Sequence, residues 1–462
     1  MLSFGSDAVL LAGLAAAVLF ILGLKGLASP KTARRGNQFA MAGMAIAVVT
    51  LLFSHNVVGA WWMLPVIAIG AAIGIPLATR TPLTALPQLV AAFHSFVGLA
   101  AGLVSIGTYL NHGAEPMEVH TSIELVAGAA IGLITFSGSI LAALKLQGVV
   151  SGKPWAWKGR HFLNLGLVIL IILCGIQFCI TGSAFPFGVI VLASTILGYT
   201  LVAPIGGADM PVIVSMLNSY SGWAASASGF LLGLPLLIIT GALIGASGAI
   251  LSYIMCAAMN RSFISVIAGG FGSDAGSGAP ELATGGTVKT AGVEDAAFML
   301  ANAGKVIIIP GYGMAVAQAQ HALKEVFNLL LEKGVQVDFA IHPVAGRMPG
   351  HMNVLLAEAD IPYEHVHELE EINPAFPQTD VVLVIGANDV VNPAAQNSPG
   401  SPIYGMPILE AYKSKLVYVI KRSLNPGYAG VDNPLFAMDN TALLLGDAKD
   451  VCEKLAAAVK LG

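Results

Sequence analysis

Long apolar runs separated by short polar segments dominate the first 261 residues of the chain. A helix that crosses a bilayer needs about 20 mostly apolar residues. Nine runs approach that length, so the pattern predicts nine membrane-spanning helices. Their expected positions are about 7–27, 38–55, 58–78, 86–110, 121–145, 161–181, 185–204, 210–233 and 235–257.

The basic residues between these runs indicate how the helices are oriented. Lysine and arginine are concentrated in the cytoplasmic loops of membrane proteins. Here they follow only odd-numbered runs, which predicts an N-terminus outside and a C-terminal domain in the cytoplasm. The positions are Lys31, Arg34, Arg35, Arg80, Lys145, Lys153, Lys158, Arg160 and Arg261.

The pattern changes after the ninth run. Residues 269–290 are rich in Gly, Ser, Thr and Ala, which is typical of a flexible linker. Short apolar strands then alternate with amphipathic helices, and this alternation predicts a Rossmann-like, doubly wound parallel sheet. We therefore expect a transmembrane domain at 1–261, a linker at 262–300 and an α/β domain at 301–462.

The elements expected in the α/β domain follow from apolar runs and the turn residues that bound them. Six strands are expected, and the third of them lies just before the acidic segment near residue 370. The strands are Lys305–Pro310, Val335–Ile341, Pro362–Leu369, Asp380–Ile385, Leu416–Ile420 and Leu443–Leu445. The helices are Met314–Lys333, Met352–Ala359 and Ala448–Leu461.

Composition and charge agree with this division. Hydrophobic residues make up 56% of the 462 residues and charged residues only 10%, which excludes a single soluble globule. The first 261 residues contain 10 Lys/Arg and 5 Asp/Glu, whereas the rest contain 12 and 21. No basic domain is present, so nucleic acid is not an expected partner. The four cysteines have no metal-binding spacing and are expected to be buried.

A glycine-rich turn follows the first strand of the α/β domain. Gly311 and Gly313 lie between this strand and a helix, as in a turn that binds a dinucleotide pyrophosphate. Val316 stands where such turns usually have a third small residue, so the motif alone leaves the assignment open.

The ends of two later strands bear on which nucleotide such a turn would bind. NAD-binding folds commonly have an acidic residue at the end of the second strand. Here that strand ends at Ile341-His342, and Asp338 comes too early. Lys421 and Arg422 end a later strand, and two cations there suit a 2′-phosphate. Solvated charge at a strand end is the alternative interpretation of this pair.

Polar residues are few inside the apolar runs. His94, Ser139 and Asn218 each lie roughly 9–12 Å into the membrane from the cytoplasmic side, at 1.5 Å per residue. A titratable group within a membrane tends to mark a proton or ion path, although a histidine that merely bonds a neighbouring helix is the alternative. Asp209 belongs to a cytoplasmic turn. The serines of the eighth run also suit close helix packing.

Several long stretches resemble the beta subunit of proton-translocating NAD(P) transhydrogenases, and the resemblance extends over essentially the whole chain. Among them are His94-Ser-Phe-Val-Gly-Leu-Ala, Gly206-Gly-Ala-Asp-Met-Pro, Ser215-Met-Leu-Asn-Ser-Tyr-Ser-Gly-Trp, Pro310-Gly-Tyr-Gly-Met-Ala-Val, His342-Pro-Val-Ala-Gly-Arg-Met-Pro-Gly-His-Met-Asn, Gly386-Ala-Asn-Asp and Lys421-Arg-Ser-Leu-Asn-Pro-Gly-Tyr-Ala-Gly. Val316 is usual in that family.

The resemblance implies hydride transfer between NADPH and NAD⁺, coupled to proton translocation. It implies a proton path and coupling through His94, Ser139, Asn218 and Asp209, with Asp389 beside the nicotinamide. It further implies an NADP(H) site in which Lys421 and Arg422 hold the 2′-phosphate and residues 425–430 form a lid. The implied site residues are Gly311, Tyr312, Gly313, Met314, Ala315, Val316, Val344, Ala345, Gly346, Arg347, Met348, Pro349, Gly386, Ala387, Asn388, Asp389, Val390, Met406, Pro407, Lys421, Arg422, Ser423, Leu424, Asn425, Pro426, Gly427, Tyr428, Ala429, Gly430, Asp447 and Ala448.

Only one dinucleotide turn is visible in the sequence. The resemblance therefore implies an alpha subunit that binds NAD(H), a dimer of alpha–beta units, and a bacterial inner membrane as the location. No metal is expected. An ion channel or transporter whose cytoplasmic domain only senses nucleotides is the alternative function.

Overall fold

The computed structural model describes residues 6–27, 30–52, 62–82, 85–112, 117–152, 154–155, 157–206, 209–267, 288–348, 350–399, 401, 403–427 and 429–461. Most of the predicted linker at 269–290 therefore lies outside the described residues. So do Pro349 and Tyr428 of the predicted nucleotide site.

Nine long helices account for most of the described residues before residue 259. All nine overlap predicted spans, because an apolar segment in lipid satisfies its backbone hydrogen bonds internally as a helix. They are α1 (Ser6–Leu27), α2 (Pro30–Leu52), α3 (Met63–Arg80), α4 (Leu86–His112), α5 (Val119–Gln147), α6 (Arg160–Thr181), α7 (Ala184–Val202), α8 (Met210–Leu231) and α9 (Pro235–Ala258).

Seven of these helices are long and apolar enough to cross a membrane, which identifies a membrane protein. Helices α2 and α8 are not among the seven. The first turns of α2 contain Arg34 and Arg35, which we had placed in a loop, and the helix begins eight residues before the predicted span. Serine, asparagine and tyrosine lower the apolar character of α8. The count of nine spans stays a prediction.

Small residues set the packing of α4 against α5. A Cβ added at Gly98 would lie 2.6 Å from the carbonyl oxygen of Gly132, and one added at Gly102 would lie 3.0 Å from Leu133. A Cβ at Gly128 would meet the Ser105 hydroxyl at 2.6 Å. The two helices are thus antiparallel and in close contact, as glycine permits within a membrane.

The C-terminal part of the chain contains a six-stranded parallel sheet, which confirms the predicted fold class. The strand order is β3-β2-β1-β4-β5-β6, the arrangement of a doubly wound dinucleotide fold. The central strands are buried on both faces and correspondingly apolar. The strands are β1 (Lys305–Pro310), β2 (Gln336–Ile341), β3 (Val366–Glu368), β4 (Val381–Ile385), β5 (Leu416–Lys421) and β6 (Thr441–Leu445).

Helices and short 3₁₀ turns connect these strands. Helices α11, α12 and α13 pack against α17. The helices after α9 are α10 (Phe263–Ile267), α11 (Val293–Ala301), α12 (Tyr312–Ala317), α13 (Gln320–Glu332), α14 (His351–Glu358), α15 (Leu369–Ile372), α16 (Ala394–Asn397) and α17 (Ala448–Leu461).

Three predicted elements differ from the structure. The single helix expected at 314–333 is broken at Gln318, which has a left-handed backbone (φ 53°) that ends α12. The strand expected at 362–369 shrinks to β3, because a 3₁₀ turn occupies Tyr363–His365. The last strand, expected at Leu443–Leu445, begins two residues earlier at Thr441, which pairs with Val417 of β5.

The chain divides into two compact units. One contains Met1–Gln147, Lys158–Val202 and Met216–Ala249, and the other contains Gly148–Trp157, Ala203–Ser215 and Ile250–Gly462. The second unit therefore combines the α/β fold with the end of α9 and two connecting segments. The exact domain boundaries that we expect at 261 and 301 stay predictions.

The α4–α5 contact generates a prediction about stability in the membrane. Gly98→Ala should destabilise the protein by about 1–3 kcal/mol, because the added methyl group forces two backbones apart. Gly107→Ala in the same helix is the matched control, since a Cβ there meets nothing within 4 Å. Thermal aggregation of detergent-solubilised protein measures both. Equal midpoints for the two variants would contradict the close contact.

Candidate functional site

The candidate nucleotide site begins where β1 and β4 end side by side. Helical connections leave these two strands toward opposite faces of the sheet, and ligands of open α/β sheets bind at such a switch point. The Gly311 amide donates to the carbonyl oxygen of Ile385 at 2.8 Å, and the Gly313 amide donates to that of Gly386 at 2.8 Å. The two predicted turns are thus brought together.

Glycine is required at this junction. A Cβ at Gly311 would lie 2.5 Å from the Cα of Ala387, and one at Gly313 would lie 2.6 Å from the Cα of Gly386. Gly386 itself has φ +64°, which disfavours a side chain. Because these glycines have no side chains, a pyrophosphate can approach the backbone at the start of α12.

A buried histidine joins two predicted binding segments beside this junction. Nδ1 of His342 accepts the Val344 amide at 3.2 Å, and Nε2 lies 2.8 Å from the carbonyl oxygen of Pro407. The ring is therefore neutral, with its proton on Nε2. Burial lowers the pKa of His342 to about 4, although the bond to Pro407 opposes this shift.

A second buried histidine lies at the other end of the same loop. Nδ1 of His351 accepts the Arg347 amide at 3.0 Å. Burial, and then the charge of Arg347, lower the pKa of His351 to about 4. The Arg347 guanidinium lies 4.4 Å from the ring centre of Tyr312, which holds this cation beside the glycine turn.

Asp389 connects the end of β4 to the predicted lid. Its Oδ2 accepts the Ala429 amide at 3.0 Å, and a Cβ at Gly427 would lie 2.5 Å from Oδ1. Asn433 supports the same turn, because its side-chain amide donates to the Asn388 carbonyl oxygen at 3.1 Å. The lid segment thus packs directly against the residue that we expect beside the nicotinamide.

Lys421 is half-buried at the end of β5. Its Nζ donates to the Asn425 carbonyl oxygen at 2.6 Å and lies 4.5 Å from the ring centre of Phe436. Burial lowers the pKa of Lys421, while Asp389 and Asp432 oppose that shift. Arg422, the next residue, is exposed. At the end of β6, Oδ1 of Asp447 accepts the Lys449 amide at 3.0 Å.

The α/β fold therefore gathers the predicted segments at the carboxyl edge of the sheet. The turn at 311–316, the loop at 344–348 and the β4 end at 386–390 are linked by the contacts above. Met406 and Pro407 join them through His342, and Lys421 contacts the lid. Which of these residues touch a nucleotide stays a prediction.

The predicted polar cluster of the membrane unit is partly assembled. Nδ1 of His94 lies 3.3 Å from the Ser221 hydroxyl, which donates to the Asn218 carbonyl oxygen at 2.8 Å. Ser139 is fully buried, and its hydroxyl has no hydrogen-bond partner among the described residues. The antiparallel register of α4 and α5 puts Ser139 opposite His94, one turn beyond the Gly98 contact.

Asp209 belongs to the other unit, immediately before α8. Burial raises the pKa of Asp209, and the charge of Arg261 opposes that shift. The carboxylate is therefore in the field of the basic residue that follows α9.

Four contributing residues were not singled out from the sequence. Ser221, His342, His351 and Asn433 all act through bonds to the main chain or to another side chain. The only sequence signal was position, since His342 directly follows β2 and His351 begins α14. Two of these roles depend on partners distant in sequence, His94 for Ser221 and Asn388 for Asn433. The other two depend on the conformation of a loop, and neither kind of role leaves a local pattern.

Comparison with known proteins gives a consistent result along the chain. The family described as NAD(P) transhydrogenase beta subunit matches residues 9–458. A protein named NAD(P) transhydrogenase subunit beta from Rhodospirillum rubrum is 55% identical over 451 residues, which cover 96% of this chain and 97% of that protein. A second protein of the same name, from a strain of that species, gives the same values.

The fold and the comparisons define a membrane-bound oxidoreductase subunit with a Rossmann-like domain. The chain belongs to the NAD(P) transhydrogenase beta subunit family. Transhydrogenation between NAD(H) and NADP(H), coupled to proton translocation, is thus supported as its function, and the channel alternative is not favoured. The family name also implies an alpha-subunit partner.

The two buried histidines predict a pH dependence of the loop at 344–348. Their pKa of about 4 lies below the value of about 6.5 for an exposed histidine, so the open loop binds more protons than the closed one. The contribution to stability is fully present above pH 6.5 and is lost as the pH falls toward 4. Hydrogen-exchange protection of the Val344 and Arg347 amides, corrected for the intrinsic rate, should fall up to about tenfold per pH unit in that window.

The Leu323 amide is the internal control for this measurement. It donates to the Ala319 carbonyl oxygen within α13 and has no histidine acceptor. Its protection should vary little over the same pH range. Constant protection of Val344 and Arg347 would show that the histidine bonds do not hold the loop.

Proposed function

We propose that the α/β domain of this chain binds NADP(H), while the alpha subunit binds NAD(H). The observation that carries the proposal is the position of Lys421, whose ammonium group lies at the carboxyl edge of the sheet beside the lid. A half-buried cation there can form charge-assisted hydrogen bonds with a 2′-phosphate. The exposed guanidinium of Arg422 adds a second donor group.

The end of β2 supports NADP(H) over NAD(H). His342 follows this strand, and both of its ring nitrogens are already bonded to the main chain. Asp338 lies within the strand, and its carboxylate pairs with Lys305 at 3.4 Å. Neither residue offers a free carboxylate to the ribose hydroxyls, which is the usual means of NAD recognition.

In hydride transfer, this chain would position a nicotinamide ring, and the ring itself would carry out the chemistry. The hydride passes between two nicotinamide rings that must approach closely, one on each subunit. The end of β4 at Asn388 and Asp389 would orient the ring held by this chain. The lid at 425–430, fixed by Asp389 and Lys421, would exclude water and control release.

The membrane unit would supply the proton path. His94 is the titratable group, and the Ser221 hydroxyl is its hydrogen-bonded partner. The Asn218 carbonyl oxygen accepts from that hydroxyl, and Ser139 supplies the hydroxyl on the facing helix. Asp209, near Arg261, would couple this path to the α/β domain. We further propose an outside N-terminus, a cytoplasmic α/β domain, a bacterial inner membrane and a dimer of alpha–beta units, with boundaries near 261 and 301.

Lys421→Met tests the nucleotide assignment. A charged hydrogen bond contributes about 1.5–3 kcal/mol, so the variant should bind NADP⁺ at least tenfold more weakly. Binding of NAD⁺, which lacks the 2′-phosphate, should change less than twofold. Calorimetric titration of the detergent-solubilised chain measures both affinities.

Lys333→Met serves as the matched control, because this exposed lysine lies at the end of α13. Both affinities should be unchanged in the control. If Lys421→Met weakens the two nucleotides equally, Lys421 does not recognise the 2′-phosphate.

His94→Leu tests the proton path. The variant cannot accept a proton, so the reconstituted alpha–beta complex should lose proton pumping while the α/β domain still binds NADP(H). His120→Leu, at an exposed position with the side chain 67% accessible, is the control and should pump normally. Vesicles with a pH-sensitive dye report pumping. A His94→Leu complex with the usual proton-to-hydride ratio would rule out this path.

A further inference from the structure

His351 is the first residue of α14, and its side chain is completely buried. Nδ1 of the ring accepts the Arg347 amide at 3.0 Å. A ring nitrogen that accepts a main-chain N–H carries no proton, so the neutral ring has its proton on Nε2. The imidazole thus acts as an acceptor for the loop at 344–348.

The loop is folded directly over this ring. Gly346 has φ +112°, and a Cβ there would lie 2.6 Å from both Cβ and Nδ1 of His351. The ring centre of Tyr312 is 6.3 Å from that of His351, and the Arg347 guanidinium covers the other aromatic ring at 4.4 Å. The His351 side chain therefore fixes the loop at 344–348 against the glycine turn after β1.

We propose that His351 is a positioning residue for NADP(H), which holds the loop at 344–348 in the shape that binds the pyrophosphate. This inference rests on the proposed function of the α/β domain. His351 does not itself touch the nucleotide, because its ring is enclosed by the loop and by α14. The main chain of the loop and the Arg347 side chain make the contacts.

The bond from the Arg347 amide requires a hydrogen-bond acceptor at the position of Nδ1 of His351. Without Nδ1, the Arg347 amide loses the acceptor that the closed loop provides at 3.0 Å, and the loss of this bond favours an open conformation. An open loop carries Arg347 away from Tyr312 and from the pyrophosphate. The 2′-phosphate end of the site, at Lys421, lies on another strand and does not depend on this bond.

Two substitutions separate the acceptor from the bulk of the side chain. His351→Leu removes the acceptor, whereas His351→Asn can present its Oδ1 where Nδ1 lies. The ligands are NADP⁺, which has a pyrophosphate, and adenosine 2′-phosphate, which has none. Calorimetric titration of the full chain in detergent gives the affinities.

We expect His351→Leu to weaken NADP⁺ about tenfold, as for one lost hydrogen bond whose donor stays unsatisfied. Adenosine 2′-phosphate should change less than twofold. His351→Asn should restore NADP⁺ binding to within about threefold of the native chain. An unchanged NADP⁺ affinity in His351→Leu, or an equal loss for both ligands, overturns the proposal.

Lys421→Met distinguishes this inference from the proposed function. If Lys421→Met leaves adenosine 2′-phosphate binding intact, the nucleotide assignment fails. If Lys421→Met weakens that binding but His351→Leu leaves NADP⁺ binding unchanged, only the proposed role of His351 fails. Where His351→Leu does not fold, Gly346→Ala displaces the same loop while it retains the histidine. Gly346→Ala should show the same selective loss of NADP⁺, and the opposite result counts against the proposal.

Discussion

The α/β domain depends on one close contact, the approach of the β1 and β4 turns at the switch point of the sheet. Gly311 and Gly313 donate their amides to Ile385 and Gly386, and no side chain separates the two backbones. Parallel strands with helices on both faces produce this gap between diverging connections. The segments that follow β2 and β5 lie at the ends of the two strands next to β1 and β4, so the strand order brings them to this contact.

The membrane unit meets a different constraint, because lipid offers no hydrogen bonds to polar groups. Helices α4 and α5 therefore approach through glycine, and several of their serine and threonine hydroxyls bond to carbonyl oxygens of the same helix. The Ser221 hydroxyl bonds the Asn218 carbonyl oxygen and also lies within reach of His94. Close packing around Gly98 thus joins α4 to α5, whereas the polar contact one turn away joins α4 to α8.

The sequence predicts elements whose cause is local. β1 and α17 have the predicted bounds, because an apolar strand and an amphipathic helix carry their own pattern. The break at Gln318 was missed, since a left-handed residue other than glycine has no sequence signature. Lys421 could be proposed as a binding residue from the sequence, because it is a charged residue at the end of a predicted strand. His351 could not, because its bond to the Arg347 amide depends on how the loop before α14 is folded, which the sequence does not show.

His342 and His351, which are buried, and His94, which is half-buried, differ in the groups that their Nδ1 atoms face. In His342 and His351, Nδ1 accepts a main-chain N–H, which can only donate, so a proton on Nδ1 would set two donors against each other. In His94, Nδ1 faces the Ser221 hydroxyl, which can either donate or accept. A proton can therefore enter the His94 ring without the loss of its hydrogen bond. This difference supports the proposed role of His94 as the proton carrier and the proposed role of the other two histidines in holding the nucleotide site.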